Sequence, residues 1–131
     1  MNTACILVVE DEAIIARDIQ STLLRLGYRV PPSVASCAEA LHAVIVHRPD
    51  LVLMDIRIQG EVDGIETAAR IRDAHGTPVV YLTSYSDATT IASARASGAS
   101  GYLTKPFRDH DLRTAIELAL QKRARTAPNG N

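Results

Sequence analysis

Four apolar runs in this chain each stop at a residue that can do chemistry. Leu51-Val52-Leu53-Met54 runs into Asp55, and Ala4-Cys5-Ile6-Leu7-Val8-Val9 runs into Glu10-Asp11-Glu12. Pro78-Val79-Val80-Tyr81-Leu82 runs into Thr83-Ser84, and the short run Tyr102-Leu103-Thr104 into Lys105-Pro106. Strands this apolar have no wet face, so they read as members of a parallel sheet covered on both sides. Open α/β sheets place their ligands at the carboxyl ends of the strands. Folded this way, the chain brings Glu10, Asp11, Asp55, Thr83 and Lys105 to one edge.

The segments between the runs carry helical periods. Ile15, Ile19, Leu23 and Leu26 stripe the first helix, which Gly27 stops. Tyr28 to Ala35 reads as a weaker strand, and Pro31 and Pro32, which cannot donate ladder hydrogen bonds, assign it to a sheet edge. Ser36 and Glu39 have capping-box spacing ahead of a helix marked by Leu41, Val44 and Ile45, which ends before Pro49. A loop over 56–63 contains Gly60. Ile65, Ala68 and Ile71 then mark a helix over 64–74, stopped by Gly76. A helix over 86–97 has Ile91 as its sole large apolar residue and should be loosely held. Leu112, Ala115, Ile116, Ala119 and Leu120 stripe the last helix, and the stretch 123–131 lacks a period and is expected to fray. Strand and helix therefore alternate five times, an α/β pattern that predicts right-handed crossovers and helices on both faces of the sheet.

Composition narrows the function classes. The 131 residues suffice for one domain with a full core. A formal net charge of −1 gives no general attraction to nucleic acid or anionic membrane, and no apolar stretch reaches the length of a membrane span. The basic run Lys122-Arg123-Ala124-Arg125 is explained by complementarity to a helix C-terminus rather than by nucleic-acid binding. Cys5 and Cys37 are too few for a disulfide framework and read as reduced thiols of a cytoplasmic protein.

Three carboxylates gathered at one edge repel one another, and a hard divalent cation with oxygen ligands relieves that repulsion. Mg²⁺ suits a shallow site in which the ion keeps several waters. Lys105 adds a point charge suited to a phosphoryl oxygen, and Thr83 a hydroxyl donor. A carboxylate so surrounded is equipped to attack phosphorus, because its neighbours neutralise charge on the transferring group. Each residue also has a plainer role open to it. Glu10 and Asp11 could be first-turn acids favoured by a helix dipole, Tyr102 a strand aromatic, and Lys105 a solvated loop residue.

Taken together and in order, Val8-Val9-Glu10-Asp11-Glu12, Leu53-Met54-Asp55, Asp63-Gly64, Leu82-Thr83-Ser84 and Tyr102-Leu103-Thr104-Lys105-Pro106-Phe107 resemble the response-regulator receiver domain of two-component signalling. The resemblance covers roughly residues 4 to 122 and is closest to single-domain, chemotaxis-regulator-like receivers. It implies a flavodoxin-like (βα)₅ fold with a five-stranded parallel sheet in the order 2-1-3-4-5. It also implies a receiver domain over residues 1–122 with a short tail over 123–131. By the same resemblance Asp55 is the phosphoacceptor for a sensor histidine kinase or a histidine phosphotransfer protein. Asp11 and Asp55 ligate Mg²⁺ directly, Glu10 acts mostly through water, and the main-chain carbonyl of Arg57 completes the protein's share of the shell. Lys105 binds the phosphoryl group, Thr83 and Tyr102 form the switch pair, and the Lys105–Pro106 bond is cis. The chain would catalyse its own modification only. It would be a monomer or a weak phosphorylation-dependent dimer, and would signal to an output protein through the surface of helix 86–97, the last strand and the last helix.

Two departures from the family pattern stand out. The loop after Asp55 lacks the usual early proline and is one residue longer, so it should be more flexible. Arg57 and Tyr85, each two positions beyond a site residue, are large; in the family these positions line the path of the hydrolytic water, so the resemblance makes them candidates for tuning the lifetime of the phosphoprotein. Other functions remain open at this stage. They are a receiver module of a hybrid kinase or larger regulator, a phosphate-independent adaptor, and a flavin carrier. The flavin carrier would need a hydroxyl-rich loop after the first strand, which this chain lacks.

Overall fold

The four apolar runs form strands β1 (Ile6–Val9), β2 (Leu51–Asp55), β3 (Val79–Ser84) and β4 (Gly101–Lys105). They make one parallel sheet in the order β1-β2-β3-β4. The structure, a computed structural model, describes residues 3–84, 92 and 98–126. The expected helix over 86–97 (Ala92 aside), Tyr85 and the last residues of the expected tail lie outside this set. Helices α1 (Ala13–Arg25), α2 (Cys37–His47), α3 (Gly64–His75) and α4 (Asp109–Thr126) complete the described elements.

β1 and β2 have no wet face, since every one of their residues is buried, whereas in β4 only Leu103 is. Alternate residues serve opposite sides. Leu7, Val9, Val52, Met54, Val79 and Tyr81 pack toward Ala40 and Val44 of α2 and Ala68 and Ile71 of α3. Ile6, Val8, Leu51, Leu53, Val80, Leu82 and Leu103 pack toward Ile19 and Leu23 of α1 and Leu112 and Ile116 of α4. This period-two division between two apolar layers is what fixes the register of each strand.

Helix ends follow local chemistry. Gly27, at φ +96, closes α1 in a Schellman arrangement: its N–H donates to the Leu24 carbonyl, and the Tyr28 N–H to that of Leu23. Ser36 caps α2 by accepting the Glu39 N–H at 3.3 Å, while the Glu39 carboxylate accepts the N–H of Ala35 at 2.8 Å, one residue before the reciprocal partner of a standard capping box. The last helix continues to Thr126, past the expected start of the tail at Arg123. Lys122 and Arg123 donate to the carbonyls of Ser100 and Asp50, contacts that a period-based reading of sequence does not reveal.

Of the five-stranded sheet expected in the order 2-1-3-4-5, the described sheet holds four strands in the expected relative order, and the outer segment does not form a full fifth strand. The segment over 28–35 lies along the outer edge of β1 but touches it only through isolated parallel bridges, Cys5 with Arg29 and Val9 with Val34. Arg29 and Val34 each donate to and accept from the β1 side. Between them stand Pro31 and Pro32, which have no N–H to give, so the ladder cannot run through. The prolines do more than place this segment at an edge; they divide it into two contacts.

Candidate functional site

β1 and β2 run parallel in register, Val9 beside Met54, so Glu10 and Asp55 emerge together at their carboxyl ends. β3 and β4 add Thr83 beside Thr104 and Ser84 beside Lys105 at the same level. Carboxylate oxygens of Glu10, Asp11 and Asp55 all lie within 4.8 Å of one another. The Glu10 side chain is fully buried, that of Asp55 nearly so, and Asp11 is half-buried. Lys105 reaches between two of them, its Nζ 2.9 Å from Glu10 Oε1 and 3.2 Å from Asp55 Oδ2. The remaining oxygens are also engaged: Glu10 Oε2 accepts the Glu12 N–H and Asp55 Oδ1 accepts the Arg57 N–H at 2.9 Å. A cavity of about 480 Å³ opens over this cluster, lined by Asp11, Glu12, Ile15, Asp55, Arg57, Thr83 and Lys105.

The charges shape one another. Burial, reinforced by the neighbouring Asp55, pushes the Glu10 carboxyl up to about 7, against the opposing pull of Lys105. Burial alone would lower the Lys105 ammonium; the hydrogen bond to Glu10 and the charge of Asp55 outweigh it and hold the ammonium above its usual range. One cation thus partly compensates several acids, and an excess of negative charge remains at the strand ends. An all-oxygen donor set of this kind fits a hard divalent cation such as Mg²⁺.

The loop following Asp55 is tied to the body of the fold at several points. The Ile56 N–H donates to the Leu82 carbonyl, the Gln59 N–H to that of Ala35, and the Gly64 N–H to that of Ile56. Ile56 and Ile58 are buried in the core on the α2–α3 side. The extra length is absorbed by packing these two apolar side chains, and Gln59 bridges Ser36 beside the start of α2.

Gly64 was legible only as part of an Asp-Gly pair, and the structure supplies its reason. A Cβ at this position would fall 2.1 Å from the Asp55 carbonyl oxygen and 2.8 Å from Ile56 Cα. Both obstacles are backbone, so no side chain can move aside. Asp63 caps the same helix by accepting the Glu66 N–H at 2.9 Å. The first turn of α3 is thereby seated directly against the peptide that carries Asp55. Thr83 is buried beside the cavity, whereas Tyr102 is half-buried against the α2–α3 side of the core, facing Tyr81 across the β3–β4 ladder. The Lys105–Pro106 peptide is cis, as expected. Arg57 lines the cavity with an exposed side chain.

Comparison with known proteins follows the same lines. A family model described as the response regulator receiver domain matches residues 6–117. The transcriptional regulatory protein PdtaR of Mycobacterium tuberculosis is 39% identical over 117 residues, covering 89% of this chain and 57% of that protein. YvrH of Bacillus subtilis, also a transcriptional regulatory protein, is 34% identical over 122 residues, covering 93% of this chain and 51% of that protein. The chain thus spans about half the length of these curated relatives. Among solved structures, the signal receiver domain of a modulated diguanylate cyclase from Desulfovibrio desulfuricans superposes with a TM-score of 0.87 at 34% identity, covering 94% of this chain and 98% of that one. NtrX from Brucella abortus superposes with a TM-score of 0.86 at 31% identity, covering 94% of this chain and 28% of that one.

Proposed function

The chain belongs to the response-regulator receiver domain family, and from that premise we propose a phosphoacceptor switch in which Asp55 takes the phosphoryl group. The observation that carries this is the convergence of three carboxylates and Lys105 at one strand edge, with Asp55 held by Lys105 on one oxygen and by the Arg57 N–H on the other. In the transfer, an Asp55 carboxylate oxygen forms a bond to phosphorus as the phosphorus–nitrogen bond of a phosphohistidine breaks, and the electron pair leaves with the imidazole. The donor is a sensor histidine kinase or a histidine phosphotransfer protein. Lys105 lies where it can follow the phosphoryl oxygens, and the Thr83 hydroxyl can donate to them. Asp11, Asp55 and the Arg57 carbonyl would hold Mg²⁺, with Glu10 acting through water; the ion supplies charge neutralisation for the phosphoryl oxygens. Domain limits of 1–122 and a cytoplasmic location accompany this proposal. No described helix is long and apolar enough to cross a membrane.

The switch would run through Thr83 and Tyr102 to the surface formed by the segment after β3, β4 and α4, where an output protein would read it. Arg57 at the cavity mouth would help set how long the phosphoryl group survives, together with Tyr85, which lies outside the described residues. A second reading is favoured by one observation. Because the chain spans only 57% and 51% of two relatives that are transcriptional regulators, it would also suit the receiver portion of a larger regulator or hybrid kinase. Phosphotransfer profiling tests the proposal. A panel of phosphorylated histidine kinases should include at least one that labels the wild type and leaves Asp55→Asn unlabelled; equal labelling of both proteins would place the acceptor elsewhere.

A further inference from the structure

At the opposite edge of the sheet, where the strands begin, a second cavity of about 320 Å³ lies between the ends of α2 and α3 and the start of β2. That volume is at the lower end of what small-molecule sites use. We propose that it is a binding site for a small phosphate monoester, with Arg48, Arg123 and Thr77 receiving the phosphate and Val44, Ile45 and Pro49 walling its apolar body.

Three observations support this independently of the phosphorylation site. Arg48 is the sole non-glycine residue with a positive φ among the described residues, at +46. It follows α2 at a position where glycine is the ordinary choice and any side chain is strained. Complementing the helix dipole does not require that strain, since His47 already stands in the last turn at an ordinary φ. Strain retained at such a position points to a use for the side chain, and among the described residues the Arg48 guanidinium makes no hydrogen bond or ion pair while it lines the cavity. Second, Thr77 is only 4% exposed and lines the same cavity. Third, Arg123 is fixed over the cavity by donating Nη1 to the Asp50 carbonyl at 3.0 Å, which holds a second guanidinium in place before any ligand arrives. The carboxylate of Asp50 is turned to another task, accepting the Cys5 N–H at 2.7 Å. Two guanidiniums, a hydroxyl donor and an apolar wall match a phosphate carrying a small hydrophobic group.

The test titrates the full metal-free chain with phenyl phosphate while backbone amide resonances are followed. Binding should shift the amides of Arg48, Thr77 and Arg123, and inorganic phosphate should bind more weakly. Arg48→Gly should weaken phenyl phosphate by about tenfold, the loss of roughly one charge-assisted hydrogen bond. It should do so while keeping or raising the urea midpoint, because glycine suits the backbone there. Thr77→Val, close to isosteric, should weaken binding without unfolding the chain. No saturable binding at millimolar phenyl phosphate would overturn the proposal. So would unchanged affinity in Arg48→Gly, equal affinity for inorganic phosphate, or shifts gathered at Asp55 and Lys105 instead.

Discussion

Leu53 and Asp55 stand two residues apart in β2, and opposite physics governs them. Leu53 is fully buried among apolar side chains of α1, α4 and the neighbouring strands, where each atom removed from water stabilises the fold. Asp55 is nearly as buried but sits with Glu10 and Asp11 in a concentration of negative charge that a single lysine only partly offsets. The body of the sheet is organised for stability, and its carboxyl edge is held in an arrangement that a metal and a phosphoryl group would complete. The contrast teaches that the site is maintained by the core rather than contributing to it.

The largest effect should come from the core. Leu53→Ala should lower unfolding free energy by about 3 kcal/mol in urea titration, through lost transfer energy and a residual cavity. Mg²⁺ binding should survive under conditions where the variant remains folded; loss of both together would mean that body and edge are not separable. Next comes Gly64→Ala, which places a methyl group against the Asp55–Ile56 backbone. It should cost roughly 2 kcal/mol, as overpacking does, yet reduce phosphorylation by a small phosphodonor more than Leu53→Ala does. A Gly64→Ala protein phosphorylated as fast as the wild type would show that the close approach of α3 does not position the acceptor.

At the edge the sign should reverse. Asp11→Ala should leave the metal-free protein unchanged or more stable by roughly 0.5 kcal/mol, since it removes like charge near Asp55 and Glu10. Mg²⁺ should raise the thermal unfolding midpoint of the wild type and leave that of Asp11→Ala unchanged. A clear loss of stability without metal would assign Asp11 to the scaffold. The smallest effect concerns pH. The Glu10 carboxyl titrates near 7 in the folded chain against an ordinary value of 4.5. Between those values the unfolded chain gives up this proton while the folded chain keeps it, so metal-free stability should fall as pH rises through that window. Glu10→Gln should flatten this fall; an unchanged slope would place the titration elsewhere.

How much of this was legible in the sequence follows from the same contrast. Apolar runs ending in Glu10, Asp55, Thr83 and Lys105 are local patterns, so the layers of the fold and the gathering of these residues could be read from them. Gly27 and Gly76 announced helix ends because a positive φ suits their missing side chains. The break in the outer segment was half legible: Pro31 and Pro32 argued for an edge, but whether two or five residues bond to β1 depends on how the chain lies against it. The ties of the loop after Asp55 were not legible, because the burial of Ile56 and Ile58 depends on α2 and α3 arriving from elsewhere. The cause of Gly64 and the reach of Arg123 to Asp50 are contacts between distant segments, and no spacing in the sequence encodes them.

Asp55 is proposed as a phosphoacceptor whose chemistry needs a divalent cation at the carboxylate cluster. The most direct measurement of this is intact-protein mass after incubation with acetyl phosphate, in Mg²⁺ and in chelator, for wild type and Asp55→Asn. One added phosphoryl group on the wild type in Mg²⁺, with little in chelator and none on Asp55→Asn, is the predicted result. Full phosphorylation in chelator, or phosphorylation of Asp55→Asn to the wild-type level, would contradict it.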